Sequence, residues 1–194
     1  MWFKYDDKGR LTKETYTYKS YDTYEYGSSQ VMVKQYSKTN ELTGSGTFIL
    51  NSKGYITGGF ANYRHDEHTE KYEYDNNGIL IKASRIGGYW SDKTTYKYEN
   101  GNMVQQIIVN RYQNQRSIDT TTYTFFTDKT STIENKNYGL SYQSNLHKNL
   151  KKTVDSKYQK GTFYYKFDDK ERVAMQTLKN GIDTIYYLKY SYAD

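Results

Sequence analysis

Short alternating segments that each end in a turn are the dominant pattern along the chain. At residues 72–74 two tyrosines flank one glutamate, so on a β-strand both rings face the same side. Residues 75–78 have turn chemistry, because aspartate accepts hydrogen bonds from nearby backbone N–H groups and glycine adopts positive φ. The aliphatic residues 79–81 then begin a return strand. The pattern predicts strand, turn and strand.

Variants of this unit recur, with aromatic residues before the turn and an aliphatic residue after it. Copies occupy residues 2–11, 48–56, 72–81, 96–103 and 164–173, and a degenerate copy occupies residues 123–130. Turn signals arrive about every 10–13 residues, and short loops join antiparallel neighbours. We therefore predict an all-β protein, a long antiparallel β-meander of about 12–15 strands in a single sheet.

The length of this sheet predicts its shape, because long open sheets twist and curl. We expect a half-barrel or spiral with the aromatic face inward, and a sheet closed on itself is the alternative. Residues 1–194 are expected to form a single repeat-built β-meander domain. An irregular interruption at residues 135–157 breaks the rhythm.

A helix is considered only within this interruption. Leu146, Leu150 and Val154 fall four residues apart, as on one face of a helix. Asn145 precedes them and is a residue type that caps helix N-termini. The prediction is at most one short helix near residues 145–155.

Composition indicates a thin, aromatic core. The chain has 25 tyrosines, and a tyrosine buries its ring while its hydroxyl reaches water or a polar partner. Proline is absent, which suits paired strands, since proline removes a backbone donor. Cysteine is also absent, which excludes disulfides, thiolate metal sites and cysteine nucleophiles.

Charge and hydropathy restrict the partners. The net charge of +6 is scattered as single lysines and arginines between aromatic residues, which is typical of the solvent face of a strand. Nucleic acid is therefore not the expected partner. No apolar run approaches the roughly 18 residues of a membrane span, so no transmembrane segment is predicted. Because Met1 leads directly into a strand, we expect that a leader or an earlier repeat has been removed.

Two of the copies, residues 5–12 and 72–80, resemble the YD repeat of Rhs-type shell proteins. They are equally similar to the looser repeat of uncharacterised envelope lipoproteins of gut anaerobes, β-meander domains of unknown function. The interruption at residues 144–150 also resembles this second group, which is the closer one. The resemblance implies the hairpin architecture and a periplasmic, cell-surface or secreted location, with the cytoplasm as the alternative. An Rhs shell is far longer, so enclosure of a toxin is not implied.

The most site-like polar cluster comprises His65, Glu67 and His68. Two histidines and a carboxylate can hold zinc, but exposed turns often carry such residues, and the His-Glu-x-x-His order is missing. We keep the three as a weak metal candidate and predict no metal and no cofactor. No Gly-x-Ser-x-Gly elbow or oriented base is recognisable, so no catalytic residue is assigned.

Aromatic residues near turns are the predicted ligand-binding residues. Tyr89 and Trp90 follow two glycines, where they form a platform for a sugar ring or a partner protein. The alternative is that Trp90 folds back and plugs the open end of the curled sheet. Tyr63 and Tyr112 complete the set.

These observations predict a non-enzymatic binding or structural module, monomeric, in the cell envelope or secreted. Its exposed aromatic residues are expected to bind glycan or another envelope protein. A single-stranded nucleic-acid-binding β-sheet protein and a metal-dependent hydrolase are the alternatives.

Overall fold

The structure is a computed structural model that describes residues 2–63, 66–133 and 146–190. The described residues form strands and turns, with no helix among them. The strands are β1 (Trp2–Tyr5), β2 (Leu11–Thr15), β3 (Tyr21–Tyr26), β4 (Gln30–Tyr36), β5 (Leu42–Leu50), β6 (Ile56–Tyr63), β7 (Asp66–Tyr74), β8 (Leu80–Gly87), β9 (Trp90–Glu99), β10 (Asn102–Tyr112), β11 (Gln115–Thr130), β12 (Asn149–Ser156), β13 (Lys160–Phe167), β14 (Val173–Asn180) and β15 (Asp183–Lys189).

All of these strands belong to one 15-stranded sheet, and their order in the sheet is their order in the chain. Neighbouring strands run antiparallel, as short turns require. The prediction of an all-β antiparallel meander in a single sheet is therefore confirmed, at the upper end of the predicted strand number.

The described residues divide into two compact units. The first contains residues 2–63, 66–95 and 109–117, and the second contains residues 96–108, 118–133 and 146–190. Each unit has its own buried cluster, which we describe separately below.

One five-residue turn, closed by the same pair of backbone hydrogen bonds, recurs between strands. The backbone N–H of its first residue donates to the carbonyl of the fifth residue, and the carbonyl of the first residue accepts from the N–H of the fourth. It occurs at residues 6–10, 16–20, 37–41, 51–55, 75–79 and 168–172. In the first copy, Oδ1 of Asp6 accepts from the backbone N–H groups of Lys8 and Arg10, at 3.0 and 2.8 Å. Gly9 has a φ of 72°, which glycine adopts without a steric penalty.

Two of these turns were not predicted as copies of the unit. Residues 16–20 begin with a tyrosine, and residues 37–41 begin with a serine inside a stretch that reads as a polar loop. Oγ of Ser37 nevertheless accepts from the backbone N–H groups of Thr39 and Glu41, at 3.1 and 3.2 Å. The Ser37 hydroxyl replaces the aspartate oxygen, and β5 begins directly after the turn.

Asp6→Asn is expected to make stability less sensitive to acid. The pKa of Asp6 lies below its usual value, chiefly because the backbone N–H of Arg10 donates to the carboxylate, and despite partial desolvation. A lowered folded-state pKa gives stability that is present above the unfolded value of about 3.9 and is lost as pH falls through the folded value. Urea unfolding midpoints from about pH 7 to about pH 3 should therefore fall less in the variant.

Asn51 shows why this variant keeps the turn. Its neutral amide oxygen accepts from the backbone N–H groups of Lys53 and Tyr55, both at 3.0 Å. Asparagine at position 6 can make the same contacts without titrating. Equal acid losses in the wild type and in Asp6→Asn would show that Asp6 has no part in the pH dependence.

The first unit has its buried cluster on β4, β5 and β6. Val31 and Val33 are buried beside Phe48 and Ile56, and tyrosines of β3 and β7 pack around them. The two valines are separated by one residue, so they share a face of β4. Tyr26 packs its ring against this cluster while its hydroxyl donates to the carbonyl of Leu11, at 3.0 Å.

The second unit has its buried cluster on β12, β13 and β14. Val154, Phe163 and Leu178 are all at most 3% exposed, and three tyrosines pack against them. Tyr165 is one of these, and its hydroxyl donates to the carbonyl of Lys151 at 2.9 Å. In both units, tyrosine rings thus extend a small buried cluster, and the hydroxyls of Tyr26 and Tyr165 donate to backbone carbonyls.

The candidate helix near residues 145–155 is not helical over its described part, which is a strand from Asn149 onward. Leu150 and Val154 lie on β12 and are each 1% exposed. A spacing of four is a multiple of two, so residues that would share a helix face share a strand face as well. Leu146 precedes β12, and its carbonyl accepts from the backbone N–H of Met103 at 2.9 Å. Asn145 lies outside the described residues.

The degenerate copy at residues 123–130 is not a strand and turn. It lies within β11, which is continuous from Gln115 to Thr130. The register with β12 shifts after Thr124 and again after Phe125. The irregularity in the sequence therefore corresponds to irregular pairing along a long strand.

Candidate functional site

Two of the predicted ligand-binding residues lie at turns that are joined to each other. Tyr89 lies in the turn between β8 and β9, and Tyr112 ends β10, just before the turn into β11. The backbone N–H of Gln113 donates to the carbonyl of Tyr89 at 2.9 Å. Both side chains are exposed, Tyr89 at 75% and Tyr112 at 57%. The two turns together present a pair of exposed tyrosines.

Trp90, which follows Tyr89 in the chain, is held against the sheet. Its indole Nε1 donates to Oδ1 of Asp66 at 2.9 Å. The ring lies over Gly87, where an added Cβ would come within 2.5 Å of Nε1. Glycine at this position is therefore what allows the indole to approach the backbone. Trp90 is half-buried, and the hydrogen bond to Asp66 fixes its indole.

A cation lies near the same indole. The guanidinium of Arg85 is 5.7 Å from the Trp90 ring centroid, within the range of a cation–π contact. Its Nη2 is 2.6 Å from Oδ2 of Asp92, a residue only 9% exposed. The hydrogen bond from Arg85 to Asp92 raises the pKa of the guanidinium, which burial opposes. Arg85 is thus fixed as a charged group at the Trp90 ring.

The side chain of Tyr63 packs against the sheet and is only partly exposed. Its ring covers Gly44 and Gly46 of β5, where an added Cβ would lie 2.6 Å from its Cδ1 and 2.8 Å from its hydroxyl. Burial, followed by the negative charges of Glu70 and Asp22, raises the pKa of Tyr63 to about 12. The phenol therefore stays neutral at physiological pH.

A buried histidine connects Tyr63 to Trp90. The His68 ring is 6.0 Å from the Tyr63 ring and 5.4 Å from the Trp90 ring, centroid to centroid. Its Nε2 lies 3.1 Å from Oε1 of Glu70, whose other oxygen accepts from the hydroxyl of Tyr72. Ring contacts through His68 of β7 thus connect Tyr63 of β6 with Trp90 of β9.

In the weak metal candidate, strand geometry separates the side chains of Glu67 and His68. Glu67 and His68 are consecutive on β7, so their side chains point to opposite faces of the sheet. Glu67 accepts a hydrogen bond from Nδ2 of Asn62 at 3.0 Å, and both ring nitrogens of His68 face oxygen atoms. His65 lies outside the described residues. Within the described ranges no group of three histidine or carboxylate side chains is placed to hold a metal.

In the second unit, a groove of about 630 Å³ was not predicted. Tyr123 and Phe125 of β11 line it together with Asn102 and Asn149. The two asparagines bond reciprocally: the backbone N–H of Asn149 donates to Oδ1 of Asn102 at 2.8 Å, and Nδ2 of Asn102 donates to Oδ1 of Asn149 at 3.1 Å. No local signal could reveal this pair, because 47 positions separate the two residues.

His147 lies next to this asparagine pair. It is 8% exposed, and its ring is 5.1 Å from the ring of Phe125. Burial, and then the positive charge of Lys151, lowers the pKa of His147 to about 3. The imidazole is therefore neutral at physiological pH, and it behaves as an aromatic packing residue.

No protein-family model matches this sequence, and no curated protein matches it either. The fold, however, occurs in solved structures. A porin-like protein from Bacteroides vulgatus aligns over 98% of this chain and 91% of its own, with a TM-score of 0.72 and 12% identity. A porin-like protein from Bacteroides uniformis aligns over 97% of this chain and 86% of its own, with a TM-score of 0.59 and 17% identity. At these identities the similarity shows a shared fold.

The described part of the chain contains no helix that is long and apolar enough to cross a membrane.

Proposed function

We propose that this protein is a non-enzymatic binding module of the cell envelope, or a secreted one, that binds glycan through the exposed tyrosines at its joined turns. The observation that carries the proposal is the hydrogen bond from Gln113 to Tyr89, which places two exposed tyrosines at neighbouring turns.

Two similarities support the location. The structures with the same fold are described as porin-like proteins, which favours an envelope or outer-surface setting. The YD-like repeats at residues 5–12 and 72–80 resemble those of envelope lipoproteins, which favours the same setting.

The chemistry of the joined turns supports a glycan ligand. Tyrosine offers a flat apolar ring for the C–H face of a sugar and a hydroxyl for its oxygen atoms. The half-buried indole of Trp90 is fixed by Asp66, so it loses little conformational entropy when a ligand stacks on it. Rigid aromatic residues of this kind dominate the energetics of many binding surfaces.

A glycan array probed with the wild type, followed by calorimetry on the best glycan, tests the proposal. The double variant Tyr89→Ala/Tyr112→Ala is expected to weaken binding about tenfold or more, since each aromatic contact contributes about 0.5–1.5 kcal/mol. Both side chains are exposed, so the variant should keep the unfolding midpoint of the wild type.

Tyr18→Ala is the matched control. Tyr18 is 86% exposed and lies in a turn of the same unit, away from the joined turns in sequence. Its removal should leave glycan affinity unchanged. An array without hits, or equal losses in the double variant and in Tyr18→Ala, would overturn the proposed glycan site.

A further inference from the structure

One surface of β13, β14 and β15 in the second unit carries tyrosines, lysines and threonines in ordered rows. Directly opposite residues of antiparallel strands project to the same face, so the strand register defines rows that cross the three strands. The rows are Lys166–Met175–Lys189, Tyr164–Thr177–Tyr187 and Thr162–Lys179–Thr184. We call this set of residues the tyrosine–lysine face.

Because successive side chains of a strand point to opposite faces of the sheet, the tyrosine–lysine face points to solvent. Phe163 and Leu178, which neighbour face residues in sequence, belong to the buried cluster on the other side of the sheet. Tyr164 is 53% exposed and Tyr187 is 60% exposed. Because adjacent strands lie about 4.8 Å apart, the two tyrosines, separated by the strand of Thr177, attach about 10 Å apart.

The face is positively charged. It borders a shallow groove of about 530 Å³, whose nine lining residues include Lys166, Lys179 and Lys189 and no carboxylate. Nζ of Lys179 is 5.6 Å from the ring centroid of Tyr164, and Nζ of Lys189 is 6.0 Å from that of Tyr187. Each exposed ring therefore has an ammonium group over it at cation–π distance, which leaves the opposite side of the ring for a ligand, and the positive charge favours an anionic ligand.

The residue types distinguish between anionic ligands. The charged groups lining the groove are all lysines, without the arginine whose planar guanidinium recognises phosphate in a bidentate manner. Threonine hydroxyls alternate with the lysines and can both donate to and accept from sugar hydroxyls. An acidic sugar chain combines apolar ring faces, hydroxyls and carboxylates within one repeating unit.

From this arrangement we propose that the tyrosine–lysine face binds an acidic oligosaccharide. The sugar rings stack on Tyr164 and Tyr187, and the carboxylates lie against Lys166, Lys179 and Lys189. This site shares no residue with the joined turns of the first unit and does not depend on a ligand there.

Calorimetry with the full chain and a uronic-acid oligomer, oligogalacturonate, tests the proposal at low salt, about 50 mM. A neutral gluco-oligosaccharide of the same length and a single-stranded oligonucleotide of similar charge serve as comparison ligands. The wild type is expected to bind the acidic oligomer at least tenfold more tightly than either comparison ligand.

Variants of the face should divide the binding into two contributions. Tyr164→Ala/Tyr187→Ala is expected to weaken binding about tenfold at any salt concentration, since it removes stacking. Substituting glutamine for all three lysines, at 166, 179 and 189, is expected to abolish the preference for the acidic oligomer and to flatten the salt dependence.

Tyr158→Ala/Lys157→Gln is the matched control. Tyr158 is 74% exposed, and Nζ of Lys157 lies 5.1 Å from its ring centroid, so the pair has the same chemistry outside the face. This control should retain wild-type affinity for oligogalacturonate. The proposal is overturned if the wild type does not bind the acidic oligomer, if the neutral oligomer or the oligonucleotide binds as tightly, or if the control loses as much affinity as the face variants.

Discussion

Leu178→Ala is expected to lower the free energy of unfolding by about 2–5 kcal/mol, because it removes a fully buried side chain and leaves a cavity. Leu178 is 0% exposed and packs with Val154 and Phe163 in the buried cluster of the second unit. That cluster contains few aliphatic side chains, and each therefore carries a large part of its packing. Urea unfolding followed by circular dichroism measures the change.

Leu188→Ala provides the comparison on the neighbouring strand. Leu188 lies on β15, directly opposite Gln176, and is 48% exposed. We expect its truncation to change stability by about 0.5 kcal/mol or less. If Leu178→Ala proved as mild as Leu188→Ala, the buried cluster would not be what stabilises β12, β13 and β14.

Gly161→Ala is expected to destabilise the protein by about 1–3 kcal/mol, although it adds a single methyl group. A Cβ at position 161 would lie 2.4 Å from the carbonyl oxygen of Lys179 and 2.9 Å from Cδ1 of Leu178. The first of these is a backbone atom, so β13 and β14 would have to separate locally. A lower melting temperature and a lower urea midpoint are the expected readouts.

Gly88→Ala controls for the loss of glycine itself. No heavy atom lies within 4 Å of a Cβ added at Gly88, and its φ is outside the left-handed region. The methyl group there should be neutral or slightly stabilising, since alanine restricts the unfolded chain. Equal destabilisation by the two substitutions would mean that the close approach at Gly161 is not the cause.

The turns were predictable because their chemistry is local. An aspartate or asparagine oxygen that reaches two backbone N–H groups, followed by a residue with positive φ, explains the copies starting at Asp6, Asn51 and Asp75. The copy at Asp168 uses the same oxygen although Glu171 replaces glycine, with a φ of 60°. Where the backbone hydrogen bonds alone close the turn, as at Tyr16, the sequence has no corresponding signal.

The burial of individual rings was less predictable, because it depends on the position of a strand in the sheet. Phe3 and Tyr5 have the same spacing as Tyr72 and Tyr74, yet Phe3 is 36% exposed and Tyr5 is 47% exposed. They lie on β1, which is the first strand of the sheet and has a neighbour on one side only. Alternation predicts which residues share a face, and it does not predict what covers that face.

The candidate sites depend on pairing between distant segments. Tyr89 and Tyr112 were predicted singly, and the hydrogen bond between their turns became visible only in the structure. The tyrosine–lysine face requires the register of three strands, and a slip of one residue would turn every side chain of a strand to the opposite face. Bulges, such as the one between Lys166 and Phe167, shift the register without an obvious sequence signal.

Alternation along each strand separates one buried face from one exposed face, and because the sequence has no cysteine, single introduced cysteines can measure this separation directly. Single cysteines at Phe163, Tyr164, Leu178 and Lys179 would be labelled with iodoacetamide under native conditions, with the unfolded protein as the reference rate. We expect positions 164 and 179 to react rapidly, and positions 163 and 178, which are 3% and 0% exposed, to be protected. Equal rates at all four positions, or protection of 164 and 179 instead, would show that the two faces are not separated in this way.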